Sequence, residues 1–579
     1  MKKTYVVIAL ILAFTMIFAA CTKTTDEPAT QESAQKTQEA AKATEEKAED
    51  TQATDEVMTI KWLASSQPNE DGSWGELYME EKFGIDIEVM RVDAENRIQQ
   101  INLRMAAGEY PDYLTLDNAS QVADYANKNV LAKIPMDMIE ANMPQYKALA
   151  EGYDPMMFNY GMIDGSIYGV PNVQANGQYF IPTGMRADWL INLGEDVPVT
   201  IDDYTALFRR FRNDDPDGNG IKDTYATTFS LEGAPDRILP AIFGAFGVAP
   251  FYWLENDNGE LQYGFTMQGT KDALMLLNQW YEEELIDPEF LTDKYRTQQN
   301  DDISYKFTSG RVGFINCYSY DDWPNDNDGQ ISAKWTAIYP EWQEYFNANM
   351  DDPKAAYKFR SFTDIDQITD DVPSPQFINP ALPKGPEGLS GSTSWSSLRG
   401  FIVYGKQVEE DSAKMAKLLE ITETMVFDEE FCVSIMYGPK DVAWEYADDG
   451  QVVFIPEFRE SDQWHPAGVI NGTVWCFNST FWATPESLLY GGERLLQRYE
   501  RSANYIALGD TAIDDKMLVA LPSINDYPDL ETNVLEYVVK AITGDVDVEA
   551  TFDGKVEEWL GNGGQVLTDE ANEWYSSIN

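Results

Sequence analysis

Between Asn213 and Thr224 the chain reads Asn-Asp-Asp-Pro-Asp-Gly-Asn-Gly-Ile-Lys-Asp-Thr. Oxygen-bearing side chains stand at alternate positions, Asp215, Asp217 and Asn219, with Asp223 four residues further on. This is the front half of an EF-hand loop, D-x-[DN]-x-[DN]-G, with glycine where the chain must turn sharply around an ion. Calcium takes about six to eight oxygens at roughly 2.3–2.6 Å, and three carboxylates, one amide and the Ile221 carbonyl supply about five. The bidentate glutamate usual at loop position twelve is missing, because Ala226 stands there. The expectation is a structural Ca²⁺ held by Asp215, Asp217, Asn219, Ile221 and Asp223. The competing reading is an Asp/Gly-rich surface turn.

Other chemistry is sparse. The only histidine is His465, in Trp464-His465-Pro466, so a His-built zinc site or a Ser-His-Asp device would have to use that one ring. No G-x-S-x-G elbow, Walker A loop or H-E-x-x-H occurs. Carboxylate pairs abound, but with 98 acidic residues pairing is expected by chance, and sequence cannot certify the spacing a glycosidase needs. Asp321, Asp322, Asp326 and Asp328 read as a solvated loop before they read as a second cation site. Of four cysteines, Cys21 has its own role, and Cys317, Cys432 and Cys476 cannot all pair within one chain. Against 98 acidic residues stand 42 basic ones, a formal net charge of −56, which argues against a nucleic-acid partner and favours cations.

The ends of the chain organise the rest. Residues 1–20 read as a lipoprotein export signal, with Lys2 and Lys3 before an apolar run from Tyr5 to Ala20 that is short for a membrane span. The run closes on Phe18-Ala19-Ala20-Cys21, which resembles the bacterial lipobox, so Cys21 is the expected lipidation site, carrying palmitate-type acyl chains. Residues 21–56 hold that cysteine and an acidic stretch without aromatic residues, which cannot bury enough apolar surface to order itself and reads as a disordered tether.

From Val57 the pattern is strand-helix-strand-helix-strand: Thr59–Leu63, Trp74–Phe83, Ile85–Val89, Glu95–Ala107 and Tyr113–Leu116. That order predicts an α/β lobe with a mainly parallel sheet, whose ligands collect at the strand carboxyl ends, near Asp117 and the loop Ser66–Trp74. Further on come helices over Thr205–Arg212, Arg237–Phe246, Lys271–Glu284 and Ser412–Phe427. Strands are expected over Val312–Ile315 and Gly400–Tyr404, and Asn258-Gly259 marks a hairpin turn.

The metal-loop pattern follows Trp189-Leu190-Ile191-Asn192-Leu193-Gly194 and Val197-Pro198-Val199-Thr200-Ile201-Asp202-Asp203-Tyr204. This order resembles the family 1 extracellular solute-binding lipoproteins of carbohydrate ABC importers, the subgroup related to alginate- and aldouronate-binding proteins. Gly165–Asn172, Leu285–Phe290, Ser309–Phe314 and the C-terminal Gly563-Gly564-Gln565 carry the resemblance across residues 57–579. It implies a two-lobed periplasmic-binding-protein-like fold of type II, mixed sheets flanked by helices with an interlobe cleft. Lobe one would comprise residues 57–173 with about 396–480, and lobe two residues 174–395 with about 481–579 and the calcium loop at 213–224. In such relatives a glutamate follows the last aspartate of the loop and joins the metal; here Thr224 stands there.

A sugar cleft combines aromatic platforms with hydrogen-bonding side chains. Trp74, Asp117, Asn172, Gln178, Trp253, Trp323 and Trp395 are the ligand-binding candidates, each expected in a loop near a crossing or a strand end. Core packing is the alternative for any one of the tryptophans. Arg186 could clamp a uronate, although an ion pair with a neighbouring acid suits it better. The expected protein is a monomeric, non-enzymatic receptor that captures an oligosaccharide between two lobes. It would sit lipid-anchored on the outer face of the bacterial cytoplasmic membrane and hand its cargo to an ABC permease. The alternatives are a surface glycan-active or glycan-holding lipoprotein without a transporter, and a peptide-binding or structural surface protein.

Overall fold

Along Ile85–Val92 buried and exposed side chains alternate through the first half, as a sheet with one face on a core requires. This strand, β2, pairs in parallel with β1 (Met58–Ser65) from Met58↔Ile85 to Ser65↔Val92. β1 also pairs in parallel with β3 (Tyr113–Leu116). The remaining strands are β4 (Met162–Ile163), β5 (Ser166–Ile167), β6 (Gly169–Val173), β7 (Gly184–Arg186), β8 (Tyr225–Thr228), β9 (Trp253–Glu255) and β10 (Leu261–Tyr263). After them come β11 (Val312–Ile315), β12 (Phe377–Ile378), β13 (Gly391–Thr393), β14 (Leu398–Tyr404), β15 (Trp444–Tyr446), β16 (Val452–Phe454) and β17 (Thr511–Ile513). The computed structural model describes residues 57–65, 74–92, 97–173, 181, 183–231, 238–293, 302–316, 335, 338–348, 362–394, 397–446, 452–455, 507 and 509–578. The export signal, Cys21 and the tether therefore lie outside the described residues, as do His465, Cys317 and Cys476.

Among the described residues from 57 on, the two largest sheets have five and four strands. The first has the order β2-β1-β3-β14-β6, in which β14 runs against both β3 and β6, so β6 points the same way as β3. Its core draws on Trp62, Tyr113, Tyr146 and Phe401 and on the helices Ser412–Phe427 and Glu429–Tyr437, through Leu418 and Phe431. The second sheet has the order β12-β7-β11-β8, with β11 parallel to β8 and β7 antiparallel to both of its neighbours. Its larger core joins Trp189, Phe208, Trp280 and Phe314 to the C-terminal helices Leu530–Thr543 and Val548–Trp559. A smaller core around Phe307, Trp335, Trp342 and Phe377 also packs on its strands. The chain passes from the first sheet to the second between β6 and β7 and returns between β12 and β14, while β17 pairs in parallel with β13.

The helix that delivers the metal-loop pattern is fixed at its start. Ile201–Asn213 opens with a reciprocal cap: the Asp203 N–H donates to Thr200 Oγ1 at 3.2 Å, and the Thr200 N–H donates to Asp203 Oδ2 at 2.9 Å. The Thr200 backbone N–H, aided by its hydroxyl, holds the Asp203 carboxyl below its ordinary range. Tyr204, Phe208 and Phe211 then fall on one buried face by 3.6-residue periodicity. Thr200→Ala removes one half of this cap and is expected to cost about 1 kcal/mol, measured by urea denaturation.

Candidate functional site

Strand direction gathers the polar ends of the first sheet on one edge. β1, β2, β3 and β6 finish there, at Ser65, Val92, Leu116 and Val173, and β14 enters from the same side at Leu398. Asp117, the residue after β3, has a side chain 62% exposed and pairs with the Arg97 guanidinium, whose Nη1 also donates to the Thr115 carbonyl at 2.7 Å. The backbone there is held as well, because the Asp117 N–H donates to Gln121 Oε1 at 2.9 Å.

Opposite, the β14–β6 register slips between Leu398 and Gly400, a bulge of the kind that re-aims a side chain, and Arg399 lies exposed in it. Gly400 has φ +152°, and a Cβ there would come within 2.3 Å of the Leu116 carbonyl oxygen, so only glycine closes the bulge onto β3. Asn172 faces Gly400 across the pair and is only 4% exposed. Trp74 follows the end of β1 after residues 66–73, opens the helix Trp74–Phe83, and stacks on Tyr78 at 4.7 Å, which stacks in turn on Phe431.

The second sheet presents β8, β11 and β12 ends, where an apolar run gives way to Ser230, Asn316 and Asn379. These groups are buried; Ser230 donates to the Asp293 carbonyl at 2.8 Å, and Asn316 ties a connecting segment to the sheet. Asn316 Oδ1 accepts from the Ala241 N–H at 2.6 Å, and its Nδ2 donates to the Ile181 carbonyl at 3.4 Å. Ser392 also donates to Ile181, and Thr183 donates to the Pro380 carbonyl. Asp510 closes the set: it accepts from the Ser390 hydroxyl at 2.6 Å and from the Leu382 N–H at 3.3 Å, while burial raises its pKa. Both passages between the sheets are thus tied down where they meet the second sheet.

Arg186 is part of that framework. It is 4% exposed, bonds both oxygens of Asp188 at 2.8 and 2.6 Å, and donates to the Phe307 carbonyl. Trp189 and Trp335 lie 5.3 and 5.7 Å from its guanidinium carbon. The ion pair with a neighbouring acid is therefore its role here.

In the 213–224 loop, Asp215 (φ +49°) and Gly220 (φ +79°) adopt the left-handed conformation that wraps the chain around a point. The Asp215 carboxylate accepts from the Asn219 and Gly220 N–H groups at 3.1 and 2.9 Å. Asn219 Nδ2 reaches Asp217 Oδ2 at 2.8 Å and Asp223 Oδ1 at 3.3 Å, so the amide sits between these two carboxylates. Burial, joined by the negative charges of Asp223 and Asp215, raises the pKa of Asp217. Among the described residues no three His, Cys, Asp or Glu side chains form a metal-holding cluster. Asn219 Oδ1 in turn accepts from the Ile221 N–H at 2.7 Å. Thr224 takes no part: it is 1% exposed and its hydroxyl donates to the Phe211 carbonyl at 2.7 Å. Ala226 is buried in β8.

Of the sequence candidates, the structure brings Asp117 and Asn172 to the edge of the first sheet, with Trp74 following β1. Two of these three, Trp74 and Asn172, sit in regular elements rather than loops. Trp253 is a correction: it lies in β9, 7% exposed, 5.3 Å from Tyr263 and 6.4 Å from Trp559, so apolar packing and not a loop position claims it. Gln178, Trp323 and Trp395 lie outside the described residues, as do Asp321, Asp322, Asp326 and Asp328. Sequence reasoning missed Arg97 and Arg399. A signal for the second existed in Arg399-Gly400 at the mouth of an apolar strand run, since glycine inside a strand often marks a bulge.

A profile of bacterial extracellular solute-binding proteins matches residues 76–369. The chain belongs to that family. Lipoprotein LipO of Bacillus subtilis strain 168 is 24% identical over 541 residues, covering 90% of this chain and 93% of LipO. The substrate-binding protein FusA of Streptococcus pneumoniae, solved in complex with kestose, superposes with a TM-score of 0.63 at 15% identity, over 90% of this chain and 99% of FusA. The alginate-binding protein AlgQ2, solved without calcium ion, superposes with a TM-score of 0.62 at 17% identity and the same coverage. The fold of this solute-binding protein is thus the two-lobed α/β fold. Its strand-end edge on the first sheet offers the Asp117 carboxylate and the stacked Trp74–Tyr78 pair. Among the described residues no helix is long and apolar enough to cross a membrane.

Proposed function

We propose that this solute-binding protein captures an oligosaccharide between the strand-end edges of its two sheets and delivers it, intact, to an ABC permease. The observation that carries the reading is the meeting of the family match with the architecture: both sheets end toward the segments that connect them. That is where open α/β sheets collect ligands. FusA with kestose and the alginate-binding AlgQ2 support a sugar as cargo, and LipO, named a lipoprotein, supports a lipid anchor on Cys21 at the outer face of the cytoplasmic membrane. The carboxylate loop 213–224 would hold a structural Ca²⁺ through Asp215, Asp217, Asn219, Asp223 and the Ile221 carbonyl. Closure would be a hinge motion at the passages between the sheets, with the protein acting as a monomer.

The test is thermal melting of the protein with added Ca²⁺ against a panel of oligosaccharides, with each sugar recovered afterwards. A ligand present at about 100 times its dissociation constant stabilises by about 2.7 kcal/mol, a visible shift. A shift with one sugar class and unchanged sugar supports the receptor. No shift with any sugar, or a sugar recovered cleaved, sinks it.

A further inference from the structure

Resting on the oligosaccharide reading, we infer that Arg97 is a positioning residue for the ligand. It holds the Asp117 carboxylate at the end of β3 in one orientation, and that carboxylate accepts hydrogen bonds from the sugar hydroxyls. The backbone of Asp117 is fixed from two directions. Its N–H donates to Gln121 Oε1 at 2.9 Å, and Gln121 is itself set by the start of the helix Ala119–Asn127, where its N–H donates to Asn118 Oδ1 at 2.9 Å. On the β14 side the chain passes so close that a Cβ on Gly400 would lie 3.2 Å from the Asp117 Cα. The side chain is nevertheless mostly exposed, and a carboxylate on a fixed backbone still turns about its own torsions.

Arg97 removes that freedom. It opens the helix Arg97–Ala106, and its guanidinium makes two bonds to the end of β3. Nη1 donates to the Thr115 carbonyl at 2.7 Å, and Nη2 donates to Asp117 Oδ2. A planar fork held on one arm by a backbone carbonyl has a defined direction on the other, which a flexible ammonium lacks. The Arg97 side chain is 13% exposed, so the cation is the covered member of the pair and the carboxylate the presented one. The helix that carries Arg97 is anchored as well, since the Tyr125 hydroxyl of Ala119–Asn127 donates to Asn102 Oδ1 at 2.9 Å.

An ion pair at a surface contributes little to stability. At a binding edge the same pair acts on affinity in two ways. A carboxylate already in its bound orientation loses no torsional freedom when the sugar arrives. A paired charge also costs less to cover than a bare one, because Arg97 replaces part of the water that the sugar displaces. Each carboxylate oxygen carries two lone pairs, so the bond from Arg97 leaves Asp117 with acceptor capacity for hydroxyls.

A double-mutant cycle by titration calorimetry tests this on the full chain in Ca²⁺, with Arg97→Gln, Asp117→Asn and both together. The probes are nystose, cellotetraose, mannotetraose, xylotetraose and tetragalacturonate, and the cycle uses the tightest binder. Each single substitution should weaken binding on the order of 10-fold, and the double substitution should be no weaker than Asp117→Asn, because Arg97 acts through the carboxylate. Melting without sugar should stay close to wild type in all three, as for an exposed pair. A structural role alone would lower the melt and weaken binding equally whether or not residue 117 is charged. Should Arg97→Gln melt far below wild type, Arg97→Lys takes its place in the cycle, since lysine keeps the charge but lacks the fork that spans both partners. Wild-type affinity in either single variant, or an equal loss from the Arg97 substitution in both backgrounds, overturns the inference and leaves the receptor standing. Binding of no probe by the wild-type chain overturns the receptor reading as well.

Discussion

Alanine at Asp287 is expected to destabilise the protein by about 2–3 kcal/mol, because it removes the buried carboxylate that Lys306 and Arg311 share in the second lobe. Asp287 has no exposed surface and receives Arg311 Nε at 2.5 Å, Arg311 Nη2 at 3.1 Å and Lys306 Nζ at 3.1 Å. Its Oδ1 also accepts from the Glu289 N–H at 3.0 Å. Lys306 is 5% exposed, and without Asp287 it keeps Asp293 as its close buried partner, with Glu289 at 3.3 Å on the surface. Burial alone would raise the Asp287 pKa, but Arg311, the Glu289 N–H and Lys306 together outweigh it and leave the group below its ordinary value. A depressed carboxyl contributes stability that is present above the unfolded pKa of about 4 and is lost as pH falls through the lower folded value. The wild-type advantage over Asp287→Asn, which keeps the shape and drops the charge, should therefore be full at pH 7 and shrink below about pH 4. Urea midpoints of the two proteins across that range check it. A gap that stays constant into acid would mean that the charge of Asp287 contributes nothing.

That cluster shows where sequence reading reaches its limit. Asp287 opens Asp287-Pro288-Glu289 and Arg311 lies in Ser309-Gly310-Arg311, both visible as pieces of a family-like pattern. Their pairing is a tertiary fact, and 98 acidic residues give no means of choosing partners. The local elements are different. The helix Trp74–Phe83, the strand Tyr113–Leu116 and the helix Ser412–Phe427 form over the residues the sequence marks: the strand is a short apolar run buried on both faces, and Gly84 or Asp428 ends a helix. Asn258-Gly259 turns a hairpin as its backbone preference demands, with Gly259 at φ +77°.

Aromatic residues were legible as a class and not one by one. Trp62, Trp189, Trp280, Trp335, Trp342 and Trp444 are all fully buried, so much of the tryptophan surplus fills cores, and Trp253 follows them. On the strand-end edge of the first sheet, Asp117 could be placed because it follows a short apolar strand. Arg97 could not, since its position depends on how the helix Arg97–Ala106 packs back on the sheet.

Calcium is expected to raise the melting temperature, and Asp215→Ala to abolish that response. At 1,000 times its dissociation constant the ion would stabilise by about 4.1 kcal/mol, since only the folded loop brings its oxygens together. Asp215 is the residue to remove. Its carboxylate both shapes the loop, through the Asn219 and Gly220 N–H groups, and belongs to the proposed donor set. The pH dependence separates a metal loop from a surface turn. Burial and the charges of Asp223 and Asp215 raise the Asp217 pKa, so the metal-free loop gives up that proton less readily than an isolated carboxyl does. A raised carboxyl costs stability above its folded pKa, and that cost is relieved as pH falls through it. Ca²⁺ needs the same carboxyl ionised, so acid weakens the metal-bound form while easing the metal-free one. The melting curves with Ca²⁺ and with chelator should therefore lie far apart at pH 7 and converge as pH is lowered toward that of an ordinary carboxyl, about 4. Mg²⁺ should substitute poorly, because it demands near-octahedral geometry at about 2.0–2.1 Å and gives up its waters reluctantly. Curves that coincide at pH 7 would make the loop an ordinary Asp/Gly turn, stabilised by its own hydrogen bonds and by the Asn192 amide that donates to the Pro216 carbonyl at 2.9 Å.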